Sequence, residues 1–357
     1  MGKDESYLDA ANMNNKVQFI TADKKTGTVY VNEIDEAGNN LKTPFKFFDI
    51  NKQDFEIVSD ILFSYKTDFT KISYVGDISL NTTQANEKMY AFDNKIIFTY
   101  DKSNINTTYI LTLDLNSKQS SLSKISHSDV QFNGLGDIKY NSFIFNKKLF
   151  QVSSSYTALK LSIKDLATGN TIKQYEFEEN KDIAFKNGPI IQDGSAYDSE
   201  PRVLSKSNQL LRKIANSKVA VTANNNNDST VSVTIGSYQE IKYEGVRFNS
   251  GGLPGMGYNG IPIASIGNSI TLNVFAAPGL YNFMNNKTTK SAYFKTILHN
   301  ADFSHITGDT KKSTFDRIND YEDSLENAKS NTMFAQNDGY VYGYYSSETK
   351  MYNLVKF

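Results

Sequence analysis

Leu113-Asp114-Leu115-Asn116-Ser117-Lys118-Gln119-Ser120 and Lys164-Asp165-Leu166-Ala167-Thr168-Gly169-Asn170-Thr171 carry the same message twice. Before the first turn, Tyr109, Leu111, Leu113 and Leu115 alternate with Thr112 and Asp114. Before the second, Leu159, Leu161 and Ile163 alternate with Lys160, Ser162 and Lys164. Side chains of a strand point to opposite faces in turn, so each run is a strand with one buried face. The Asp, Asn, Ser, Thr and Gly that follow favour a turn, by local side-chain bonding or by tolerating positive φ.

Working outward from this pair, candidate turns fall at Thr26, Thr70, Ser117, Thr168, Ser229, Thr289 and Thr349, at intervals of 44 to 61 residues. That spacing fits a series of about seven four-stranded sheets. Helices are few. Ser313 to Ala328 places Phe315, Ile318, Leu325 and Ala328 on one face, with Ser313 and Asp316 at its start. Ser207 to Ala215 reads as a short helix, and Gln53 to Leu62 suits a helix or a strand. Residues 1–14 are expected as a flexible N-terminal segment, and residues 15–357 as one domain. The Asn224–Asn227 run reads as a loop tip.

The repeated hairpins resemble those of β-propeller proteins, without a Trp-Asp or Gly-His signature in any repeat. The resemblance implies an all-β propeller of about seven blades, six or eight being the alternatives, with one or two short helices in loops. It also implies a ring closed by its ends, the strand at Met351–Phe357 meeting the one near Val17–Ile20, because closure removes exposed sheet edges. The Asn-, Lys- and Tyr-rich, Cys-free composition is similar to that of exported bacterial envelope propellers. No functional residue transfers on this likeness.

Composition narrows the function classes. Lys and Arg number 38 against 39 Asp and Glu, so the chain has no net field to draw in nucleic acid. Without cysteine there is no disulfide, zinc-thiolate centre or thiol nucleophile. No run of 18 apolar residues occurs, so no transmembrane helix is expected. The opening shows no signal-peptide pattern, but Gly2 and Ser6 match the myristoylation pattern Met-Gly-x-x-x-Ser, which keeps lipid anchoring open.

Catalytic and cofactor motifs fail on context. Gly255-Met256-Gly257-Tyr258-Asn259-Gly260 has the dinucleotide spacing, but Pro262 would break the helix that such a site needs. His299 and His305 flank Asp302 without a known metal spacing, and His127 stands apart. Asp193 to Glu200 gathers oxygen ligands but lacks the order of a calcium loop. No Gly-x-Ser-x-Gly elbow is present. No metal, cofactor or catalytic residue is therefore assigned.

The most unusual stretch is Phe248 to Asn286, which carries no charged residue. Its rings stack on apolar faces, and its amides bond hydroxyls or backbone. Phe248, Asn249, Tyr258, Asn259, Phe275 and Tyr281 are the candidate ligand-binding residues. The expected function is a non-enzymatic binding or scaffold module, exported to the periplasm, cell surface or medium, engaging a protein or glycan. The alternatives are a carbohydrate-active enzyme with carboxylates at the propeller channel, and a structural subunit of an envelope assembly.

Overall fold

The computed structural model describes residues 4–13, 16–35, 38–47, 51–63, 69–72, 77–102, 105–134, 136–194, 201–226, 228–242, 265–266, 269–270, 287–310, 312, 314–326, 328–336 and 339–357. The sheets follow one another along the chain. The first pairs Glu5–Met13, Lys16–Asp23, Thr28–Ile34 and Asn40–Lys46 in chain order. The second runs Glu87–Phe92, Lys95–Asp101, Thr107–Asp114 and Gln119–Ser126, with the short strand Thr70–Ile72 added parallel to the first of these. Lys139–Phe145, Lys148–Ser154, Ala158–Asp165 and Thr171–Glu178 make the third.

The fourth sheet departs from chain order. Its strands lie as Arg202–Leu204, Ile190–Asp193, Lys287–His299, Thr230–Lys242 and Lys218–Asn225. Gly236 faces Tyr293 across the long pair at its centre. A Cβ at Gly236 would run into the Ala292 carbonyl oxygen and the Tyr293 Cβ, so glycine lets the two strands meet there. The fifth sheet holds Ala328–Gln336, Gly339–Ser346 and Met351–Lys356.

Side-chain alternation stacks these sheets face to face. Met89, Ile96 and Leu111 of the second sheet pack with Ile20, Val29, Val31 and Phe45 of the first. Their chain neighbours Tyr90, Ile97 and Ile110 turn the other way, into a core shared with Phe143, Leu161, Val221, Val233 and Phe294 of the third and fourth sheets. Each such side chain stabilises the fold by about 1.5–3 kcal/mol when fully buried. Small sheets that follow one another along the chain and stack face to face are the blades of a propeller, and the chain is an all-β propeller.

One turn chemistry recurs. Asp23 Oδ1 accepts from the backbone N–H groups of Lys25 and Thr26, Asp114 Oδ1 from those of Asn116 and Ser117, and Asp165 Oδ1 from those of Ala167 and Thr168. Each aspartate closes its hairpin by substituting for a backbone acceptor.

Several expectations change. Thr70 and Thr289 lie within strands, because threonine suits a pleated surface as well as a turn. Five sheets of three or more strands are present among the described residues, and the expected count of about seven is not reached there. Four helices are present among them, not one or two: Lys52–Phe63, Leu80–Thr83, Ser207–Ala215 and Thr314–Asp323. The first settles the ambiguous segment, burying Ile57, Val58, Ile61 and Leu62 at helical spacing. The last ends before Leu325, and Ala328 opens a strand instead.

Residues 5–13, expected as part of a flexible segment, form the first strand. Met351–Lys356 pairs with Gly339–Ser346, and Val17–Ile20 lies between two strands of the first sheet, so the expected pairing of the two ends is not formed. No described helix is long and apolar enough to cross a membrane.

Candidate functional site

Two polar constellations stand out, one sealed and one open. The sealed one lies between the second and third sheets. Thr108 Oγ1 donates to Asp101 Oδ1 at 2.6 Å, and Ser142 Oγ donates to Asp101 Oδ2 at 2.7 Å. His127 Nε2 lies 3.2 Å from Asp101 Oδ1, and Gln151 Nε2 donates to Thr108 Oγ1 at 2.9 Å. Lys88 Nζ stands 3.8 Å from Asp101 Oδ2, with both side chains fully buried. It has no hydrogen-bond acceptor among the described residues.

Burial alone would raise the Asp101 carboxyl. The His127 hydrogen bond, the Lys88 charge and the Thr108 bond outweigh it and hold the group down at about 2. Burial lowers the Lys88 ammonium to about 8, against the pull of Asp101. The network joins two blades and has no route for a ligand, since Lys88, Asp101, Thr108, Ser142 and Gln151 are all at most 1% exposed. His127, which stood apart in the sequence, is buried just after the second sheet's last strand.

The open constellation is a cavity of about 1160 Å³ beside the fourth sheet. The fourth sheet supplies Thr222, Asn224 and Asn225 from one strand, Thr234 and Tyr238 from the next, and Ser291, Tyr293 and Lys295 from its centre. The segment 77–81 forms a second wall and is pinned to that sheet. Ile78 N donates to Asn224 Oδ1 at 2.8 Å, and Thr222 Oγ1 donates to the Ile78 carbonyl at 2.9 Å. Phe145 and Asn146 enter from the third sheet's first hairpin. Helix Thr314–Asp323 closes another side, its first N–H donating to Asp77 Oδ2.

Amide and hydroxyl side chains make up more than half of the lining residues, beside Ile78, Leu80, Phe145 and Phe357. Asn81, Asn146 and Asn225 are exposed at it, while Asn226 is held by Thr230 at 2.8 Å and Ser232 at 2.9 Å. Asp77 accepts from the Thr314 N–H, and Asp316 pairs with Lys295 at 3.2 Å. Lys312 pairs with Asp320 at 2.6 Å, whose hydrogen bond raises its ammonium above the ordinary lysine value. The Tyr293 phenol is raised by burial first and then by Asp193 and Asp316. These groups can hold a neutral, hydroxyl-bearing molecule by hydrogen bonds, with tyrosine faces beside it.

Phe248, Asn249, Tyr258, Asn259, Phe275 and Tyr281 all lie outside the described residues, as do Gly2 and the Gly255–Gly260 motif. Asp302 Oδ1 accepts from Ser304 N at 3.0 Å and Ser304 Oγ at 2.8 Å, and His305 Nε2 lies 3.0 Å from Asn187 Oδ1. These local bonds account for two members of that group. Asp193 accepts from Gly194 N at 2.8 Å, and residues 195–200 of the same loop fall outside the described residues. Among the cavity residues, the asparagine run at 224–227 and Asp316 at the expected helix start left a signal in the sequence. Asn224 and Asn225, expected in a loop tip, end the strand Lys218–Asn225 instead, Asn227 lies outside the described residues, and the first three members of the run also line the cavity.

No family model matches the chain. No curated protein matches it either. Among solved structures the chain is similar to the Dos1 propeller, at 13% identity, over 64% of this chain and 55% of that one, with a TM-score of 0.25.

Proposed function

We propose that this propeller is a non-enzymatic binding module whose cavity beside the fourth sheet holds a glycan. The observation that carries the reading is the lining itself. Exposed Asn81, Asn146 and Asn225 stand around a volume of about 1160 Å³, with Tyr238 and Tyr293 in its wall. Amides match the paired donor and acceptor character of sugar hydroxyls, and rings match the apolar faces of sugars. Both cavity carboxylates are engaged, Asp77 at a helix start and Asp316 with Lys295, which favours binding over hydrolysis. The uncharged stretch 248–286 has the same chemistry and is proposed as a second part of the binding surface. Export to the bacterial envelope or medium belongs to the same proposal, supported by composition alone.

The test immobilises the chain against a glycan panel, beside a variant carrying Asn146→Ala and Asn225→Ala. A glycan retained by the wild type and lost by the folded variant supports the reading. Release of reducing ends from the retained glycan would replace it with the enzyme alternative. A folded wild type that retains no glycan refutes it.

A further inference from the structure

The charges on the cavity wall do not cancel in pairs. Lys295 is matched by Asp316 at 3.2 Å, and Lys312 by Asp320 at 2.6 Å. Asp77 is occupied by the first N–H of helix Thr314–Asp323. Arg317 lines the same cavity from one turn further along that helix, and its side chain is exposed. Its guanidinium donates to Thr314 Oγ1 at 3.1 Å and makes no ion pair among the described residues. A guanidinium presents five N–H donors in a planar fork, and one of them is used here. The fork fits a carboxylate through two parallel bonds, a geometry that a hydroxyl partner leaves unfilled.

We propose that the cavity selects a saccharide bearing a carboxylate, with Arg317 as the counter-charge. This rests on the glycan reading above and adds the charge of the ligand to it. The neutral amides at 146 and 225 hold the hydroxyls, while Arg317 takes the acid group. A saccharide is favoured over an acidic peptide because amide and hydroxyl side chains make up more than half of the lining residues. Lys312 and Lys295, already neutralised, contribute little selectivity.

The experiment uses matched acid and methyl-ester forms of galacturonic-, glucuronic- and N-acetylneuraminic-acid oligosaccharides, in calorimetric titration against the full chain. The ester removes the charge and caps one carboxyl oxygen with a methyl group. For one pair at least, the acid is expected to bind about tenfold or more tightly than its ester, the size of a charge-assisted hydrogen bond. Arg317→Gln removes that ratio by weakening binding of the acid far more than binding of the ester. Arg317→Lys keeps part of it, because a point charge replaces the fork. The ratio also shrinks as salt is raised.

Equal binding of acid and ester by the wild type, or a ratio that survives Arg317→Gln, overturns the proposal. Binding of neutral glycans alone overturns it too, while the glycan reading stands. Failure to bind any saccharide overturns both, and binding of an acidic peptide in place of every acid saccharide replaces the ligand class.

Discussion

The sealed network around Asp101 and the open cavity beside the fourth sheet use much the same side chains to different ends. In the network, Thr108, Ser142, His127 and Lys88 all turn toward one carboxylate and are closed off from solvent. In the cavity, Asn81, Asn146 and Asn225 are exposed, and Asp77 and Asp316 are each settled by a neighbour at the wall. Polar groups that satisfy one another fix the relation between blades. Polar groups that face space are available to a ligand. Removing one member should therefore cost stability in the first region and binding in the second.

The sharpest break in that contrast is Asp101→Ala. It deletes the acceptor of three hydrogen-bonding partners and leaves the Lys88 ammonium buried without its counter-charge. Losing one partner of a buried pair costs about 3–5 kcal/mol. Urea denaturation should show that loss, and a loss below about 1 kcal/mol would mean that the network contributes little.

Next in size is a pH effect. The Lys88 pKa in the fold, about 8, lies below the ordinary lysine value of 10.5. Between those values the unfolded chain holds a proton that the folded chain has lost, so stability rises with pH across that window. The Lys88 share of the rise is of the order of 3 kcal/mol. Subtracting the curve of Lys88→Met from that of the wild type isolates it, and parallel curves would contradict the assignment. Asp101 acts at the other end. Its pKa, about 2, lies below the usual 3.8, so its contribution is present above 3.8 and is lost as pH falls to about 2.

The smallest effect sharpens the other side of the comparison. Asn225→Ala removes an exposed cavity amide and should change stability by no more than about 0.5 kcal/mol, while Asn146→Ala adds about 1 kcal/mol because Asn146 holds a positive φ in its hairpin turn. Thermal melting checks it. A large loss would make these amides structural and weaken the binding assignment.

What could be read in the sequence was local chemistry. Asp114 and Asp165 anchor like turns because carboxylate and N–H lie within three residues of each other, and Asp23 repeats the device. The alternation around Leu111 and Leu161 likewise reports a buried face without help from distant residues, but the other face, expected open, is buried too, at Thr108, Ile110, Ser162 and Lys164. Thr70 and Thr289 misled because their type alone does not separate turn from strand. The site was hidden for a different reason. Asp77 meets Thr314, and Ile78 meets Asn224, across separations that no local pattern encodes. The Asp101 network was hidden in the same way, its members running from Lys88 to Gln151.

The strand order of the fourth sheet has a consequence for how the molecule is made. The first three sheets are each complete within a short span of chain and can pair as they leave the ribosome. Lys287–His299, however, inserts between Ile190–Asp193 and Thr230–Lys242. The earlier two strands must wait, with the edges meant for it open, while the residues up to 299 are synthesised. That interval is when the nascent chain is most exposed to wrong pairing. The cavity inherits the delay, because Tyr293, Lys295 and Arg317, with Gly339 and Phe357 after them, arrive late, so binding competence becomes a late event in biogenesis.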